Sequence, residues 1–143
     1  MTPPPGPGFR NWPWWRRWFG RRSERYAAKH LRRVLRHRVL AANVADAAGE
    51  LDLLTLDPDG KTLVVVEVRS VSGPDPTRAA ESVDLAKQTR VAATALRFLT
   101  RRRLLNHPVR FDVLAIAWPP GQPPVVHYHP DAFQPPGRFQ FYT

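Results

Sequence analysis

Cysteine is absent from this 143-residue chain, which excludes disulfides and thiolate metal sites and suits a reducing compartment. No apolar run approaches the roughly 18 residues of a spanning helix. The N-terminus carries charge and tryptophan but no continuous apolar stretch, so it does not have the pattern of a secretory signal. A cytoplasmic location is expected. Acid is scarce at the start. Residues 1–38 hold one acid, Glu24, against eleven Arg or Lys, whereas residues 39–143 hold eleven of each sign. The whole net charge of +10 therefore sits in the N-terminal quarter. Such asymmetry suits a polyanion partner, nucleic acid or an anionic membrane surface, and is also found in plain solvated segments.

What is present is enough for one domain: 43% of the residues are hydrophobic, and there is no repeat. Five prolines among residues 3–13 prevent a regular helix there. Trp12, Trp14, Trp15, Trp18 and Phe19 interleave with Arg10, Arg16 and Arg17. That mix stacks on bases, lies in a membrane interface, or staples a tail to the fold. We assign residues 1–19 to a tail, 20–130 to the domain and 131–143 to a C-terminal extension.

Residues 21–37 read as a helix. Arg22, Arg25, Lys29, Arg32 and Arg36 share one face, a candidate nucleic-acid surface, and Ala27, Ala28, Leu31, Val34 and Leu35 the other. Glu24 falls on the apolar face, so a helix-dipole role competes with a ligand role. A short strand, Val39–Val44, leads to a hairpin over Gly49–Arg69 that turns at Asp57-Pro58-Asp59-Gly60. A polar loop covers residues 70–80. Asp84 is placed to cap a helix over about 85–104, with Leu85, Ala92, Ala95, Leu96 and Leu99 as its buried face. Arg110–Trp118 reads as a central strand and Val125–His129 as an edge strand. The order implies an α/β fold, a mixed sheet flanked by helices.

The hairpin carries the chemistry. Asp52 and Glu67 interrupt strands otherwise rich in Leu and Val, and a buried carboxylate is expensive unless paired or metal-bound. Two or three carboxylates, Asp52 and Glu67 with Glu24 from the helix, suit Mg2+ or Mn2+ acting on phosphate esters. Arg69, two residues after Glu67 and on the same strand face, is placed to orient water and stabilise charge. Structural readings compete: an edge-strand charge at Asp52, a salt bridge at Arg69, a loop charge or a functional acid at Glu50. Register is the open point. A type I turn with Gly60 in a bulge would set Asp52 opposite Val66 and turn Glu67 to the other face; a strand bulge or a four-residue loop would restore the pair. Asp112 reads as structural beside Arg110, and His127 and His129 as structural or exposed.

The run Gly49-Glu50-Leu51-Asp52-Leu53-Leu54, then Val65-Val66-Glu67-Val68-Arg69, Lys87 and Arg110-Phe111-Asp112-Val113 resembles the YraN-like family of uncharacterised bacterial proteins. Trp18-Phe19-Gly20, Glu24, Ala27, Leu31 and Asn43 extend the likeness over about residues 18–118. That family is similar to the PD-(D/E)XK nuclease superfamily, notably archaeal Holliday junction resolvases. The resemblance implies a restriction-endonuclease-like fold and Mg2+-dependent cleavage of DNA, with branched or single-stranded substrates and a homodimer in view. Asp52, Glu67 and Arg69 would be catalytic, Glu24, Asp52 and Glu67 metal ligands, and Lys87 a supporting, nucleic-acid-binding residue. Two departures stand out. Arg69 replaces the family's lysine and cannot act as a base, and Ala45-Asp46-Ala47-Ala48 lacks a basic residue that relatives tend to carry. The alternatives are an inactive nucleic-acid-binding module of the same fold, or a peripheral membrane or partner-docking protein.

Overall fold

The computed structural model describes residues 22–47, 49–71 and 75–134. The Trp- and Arg-rich tail, Ala48, residues 72–74 and residues 135–143 lie outside them. The element order is α1 (Arg22–Arg33), β1 (Arg38–Asp46), β2 (Gly49–Leu56), β3 (Leu63–Val71), α2 (Leu85–Arg101), β4 (Val109–Ala117) and β5 (Val125–Phe133). The five strands form one sheet in chain order, antiparallel except where β3 runs parallel to β4. That parallel pair requires the crossover, which α2 supplies. The α/β architecture expected from the pattern is the one observed. No described helix is long and apolar enough to cross a membrane.

Each face of the sheet has its own helix. On one side Ala27, Ala28 and Leu31 of α1 pack with Leu53, Val64, Val66, Leu114 and Ile116. On the other, Val91, Ala92, Ala95, Phe98 and Leu99 of α2 pack with Leu54, Val65, Phe111 and Val113. Strand alternation assigns successive residues of β3 and β4 to opposite sides, and burial on both faces explains their near-continuous apolar runs. Burying one such Leu, Val or Phe is worth about 1.5–3 kcal/mol, so the two layers dominate stability.

Local details depart from the pattern expected above. α1 ends at Arg33 rather than at residue 37, and Val34, expected on its apolar face, is exposed beyond that end. Leu85 opens α2 but is exposed. Ala79–Ser82, within the expected polar loop, forms a 3-10 turn whose Ala79 is buried. β5 continues to Phe133, whose ring lies 5.3 Å from that of Phe111.

The hairpin loop resolves the register. Asp57 N–H donates to the Thr62 carbonyl at 2.9 Å, leaving a four-residue loop, Pro58–Lys61. Asp59 ties the loop, accepting from Lys61 N–H, Thr62 N–H and the Thr62 hydroxyl. Leu53 then pairs with Val66 and Leu56 with Leu63. Continued one step, this register would set Asp52 against Glu67; the ladder itself ends at Leu53–Val66, and the two carboxyls meet through their side chains.

A paired-carboxylate candidate site

Asp52 stands where β2 changes faces. Leu51 packs on the α2 side and Leu53, two residues on, packs on the α1 side, so alternation breaks between them. The neighbouring strand does the same: Ala42 and Val44 lie on opposite sides around Asn43, whose φ is 52°. Asn tolerates this left-handed conformation better than most residues. Beyond Leu53–Val66 the β2–β3 ladder stops. The Val68 N–H, which would otherwise continue it, donates instead to Asp52 Oδ2 at 2.8 Å. The carboxylate thus replaces a backbone partner and is held at the point of strand divergence.

Glu67 shares the α2 side with Val65 and Arg69 by alternation. It is 3% exposed and Asp52 is 8% exposed. Lys87, from the first turn of α2, places Nζ 3.2 Å from Glu67 Oε1, with 23% of its side chain exposed. Burial pushes the Asp52 carboxyl up to about 7, and the Glu67 charge and a hydrogen bond between the two carboxyls add to the rise. The Val68 N–H and the Lys87 charge oppose it. Two carboxylates in so dry a place resist being charged together.

The other candidate residues are placed as follows. Glu24 is half-buried in the first turn of α1. Among the described residues no three His, Cys, Asp or Glu groups are arranged to hold a metal ion, so Glu24 does not complete a triad with Asp52 and Glu67. Arg69 Nη2 donates to the Ser82 carbonyl at 3.2 Å, and its buried Nε has no partner. Glu50 is exposed. Arg22, Arg25, Lys29, Arg32 and Arg36 are exposed on or just beyond α1. The sheet separates their helix from α2 and Lys87. Arg22 lays its guanidinium over the Trp118 ring, 3.7 Å from the centroid.

The sequence reading makes Lys87 a supporting, nucleic-acid-binding residue and names no partner for it; the structure pairs it with Glu67. A signal exists. Lys in a helix's first turn opposes the macrodipole, and α2 has no acid there. A second buried polar cluster, at the other end of the hairpin, is only partly visible in the sequence. Asp112, fully buried, accepts Arg110 Nε at 2.8 Å and Nη2 at 2.9 Å, the Asp131 N–H at 2.9 Å, and the Tyr128 hydroxyl. Arg110 also reaches Asp57 at 3.4 Å, and His37 Nδ1 lies 2.8 Å from the Thr55 hydroxyl oxygen. These groups satisfy one another, as buried polar networks must.

The donor set fits a hard divalent cation. Both groups are carboxylates, and Mg2+ is commonly held by one or two carboxylates with waters and substrate phosphate completing its shell. A cation would also offset the mutual repulsion that raises Asp52.

Comparison with known proteins adds kinship. The model of a family described as "Uncharacterised protein family UPF0102" matches residues 23–116. A UPF0102 protein of Rhodopirellula baltica is 42% identical over 126 residues, covering 86% of this chain and 74% of the relative. One of Pseudomonas savastanoi pv. phaseolicola is 38% identical over 115 residues, covering 80% and 91%. One of Stutzerimonas stutzeri is 40% identical over 116 residues, covering 80% and 93%.

Proposed function

The chain belongs to the UPF0102 family, the YraN-like proteins, and on that footing we propose that it is a metal-dependent nuclease acting on DNA. The observation that carries the reading is the buried Asp52–Glu67 pair at the diverging end of the hairpin. Asp52 and Glu67 would hold Mg2+ or Mn2+, which when bound supplies Lewis-acid polarisation of a phosphodiester and a more acidic water. The chain's part is positional. The Val68 N–H fixes one Asp52 oxygen, and a hydrogen bond joins this carboxyl to that of Glu67, so a cation would take the place of the proton between them. The dry surround strengthens every charge interaction at the site. In the reaction a water oxygen bonds to phosphorus and the P–O bond to one sugar oxygen breaks. The water's proton passes to solvent, and the leaving oxygen takes up one in turn.

The exposed basic stripe of α1 lies on the other side of the sheet from Lys87, so it suits a flanking arm of a branched or partly single-stranded substrate. Incubation with a four-way junction, single strands and duplex in Mg2+ or Mn2+ tests this. Cleavage by the wild type, abolished in Asp52→Ala, is expected; no cleavage, or cleavage undiminished in that variant, overturns it. A second reading, an inactive DNA-binding module, draws on Arg69 standing where lysine is usual. It predicts DNA binding indifferent to metal and to Glu67→Gln.

A further inference from the structure

We propose that Lys87, delivered by α2, is the cation that works beside the Asp52–Glu67 pair, and that Arg69 is a structural tie between β3 and the segment leading into α2. This rests on the nuclease reading above and names the group that meets the charge developing on the scissile phosphate.

Three observations converge. First, Arg69 is committed elsewhere. Its guanidinium donates to the Ser82 carbonyl, two residues before the α2 cap, and no ion pair joins it to Asp52 or Glu67 among the described residues. Its buried Nε finds no acceptor, so neither acid bonds to it there. Second, Lys87 makes the contact that Arg69 does not, 3.2 Å from Glu67 Oε1, and keeps a quarter of its side chain at the surface. Third, the helix holds Lys87 there against its own preference. Asp84 caps α2 by accepting the Lys87 N–H at 2.8 Å, which fixes residue 87 in the first turn. Gln88 anchors the same turn through its side chain to the Val83 carbonyl at 2.9 Å. A cation at a helix N-terminus costs about 0.3–1 kcal/mol, a local inconsistency of the kind that marks functional positions.

A structural ion pair would make the same contact, so the test separates the two. Lys87→Met, Lys87→Arg, Arg69→Met and Arg69→Lys are compared with wild type for junction cleavage in Mn2+, for Mn2+ affinity without DNA, and for thermal midpoint. Removing a positive charge beside a cation site strengthens cation binding. Lys87→Met is therefore expected to bind Mn2+ more tightly while cleaving at least about 100-fold more slowly. Lys87→Arg should recover to within about tenfold of wild type, since a charge is restored in a different shape. Arg69→Lys should cleave within about threefold of wild type, and Arg69→Met should lose thermal stability before rate. Cleavage by Lys87→Met at the wild-type rate, or Mn2+ affinity falling together with its rate, overturns the assignment. So does a folded Arg69→Met that fails to cleave. A wild type that cleaves nothing overturns the nuclease reading, and the role of Lys87 with it; a wild type that cleaves beside an equally active Lys87→Met overturns the role of Lys87 alone.

Discussion

At the scale of single residues, Asp52 sets the electrostatics. Its carboxyl is held up near 7 by burial first and by Glu67 second. The sign of the linkage follows. A raised folded-state value contributes stability that is complete below the unfolded value near 4, and that is lost as pH rises towards about 7. In chelator, Asp52→Asn should therefore flatten the pH dependence over that window, read as the difference between the two urea-unfolding series. His37 acts oppositely: burial lowers its imidazole, so its contribution falls as pH drops below about 6.5. Gly49 is a packing case. A Cβ there would meet the Thr94 hydroxyl oxygen at 2.7 Å. That hydroxyl cannot easily move, because it donates to the Arg90 carbonyl and accepts from Arg97. Gly49→Ala should cost about 1–3 kcal/mol by overpacking, measured by urea denaturation.

At the scale of elements, the hairpin and α2 make the site together. Much of this is legible in the sequence. Periodicity marks the strands and helices, and Asp84 stands out as the α2 cap because Asp before an apolar-periodic segment has few other uses. The two strand acids are conspicuous because Leu- and Val-rich strands rarely carry them. Three things are not legible. The register depends on whether the turn holds three or four residues, and the Asp59 hydrogen bonds that choose four are detail within the loop. The partner of Glu67 comes from another element twenty residues on. The direction of Arg69 depends on a carbonyl in a 3-10 turn that the loop's composition conceals. The far end of the sheet gives a check on the same logic. Asp112 is fully buried with several donors, and removing it would take the acceptor from Tyr128 and leave Arg110 its longer contact to Asp57. Asp112→Ala should lose about 3–5 kcal/mol. Folded at low temperature, that variant should keep any Mn2+ affinity of the wild type, since the cluster is not part of the proposed metal site.

At the scale of the whole molecule, charge and site occupy different places. The excess of +10 comes from residues 1–38, whereas the acids sit on the α2 side of the sheet. A DNA duplex neutralised by α1 would not by itself lie over Asp52 and Glu67, which favours substrates with more than one arm. Lys29→Glu with Arg32→Glu should weaken junction binding and lower the salt dependence by about one unit of slope for each phosphate no longer neutralised, seen by fluorescence anisotropy across a salt series. Mn2+ affinity in the absence of DNA should change little.

The proposed nuclease chemistry depends above all on the acid pair being a cation site. Titration of Mn2+ into the purified chain, followed by the free-ion paramagnetic resonance signal, measures this without DNA. One ion per chain in the wild type, lost in both Asp52→Asn and Glu67→Gln, is the predicted result. No uptake by the wild type at millimolar Mn2+, or uptake unchanged in the two variants, would contradict it.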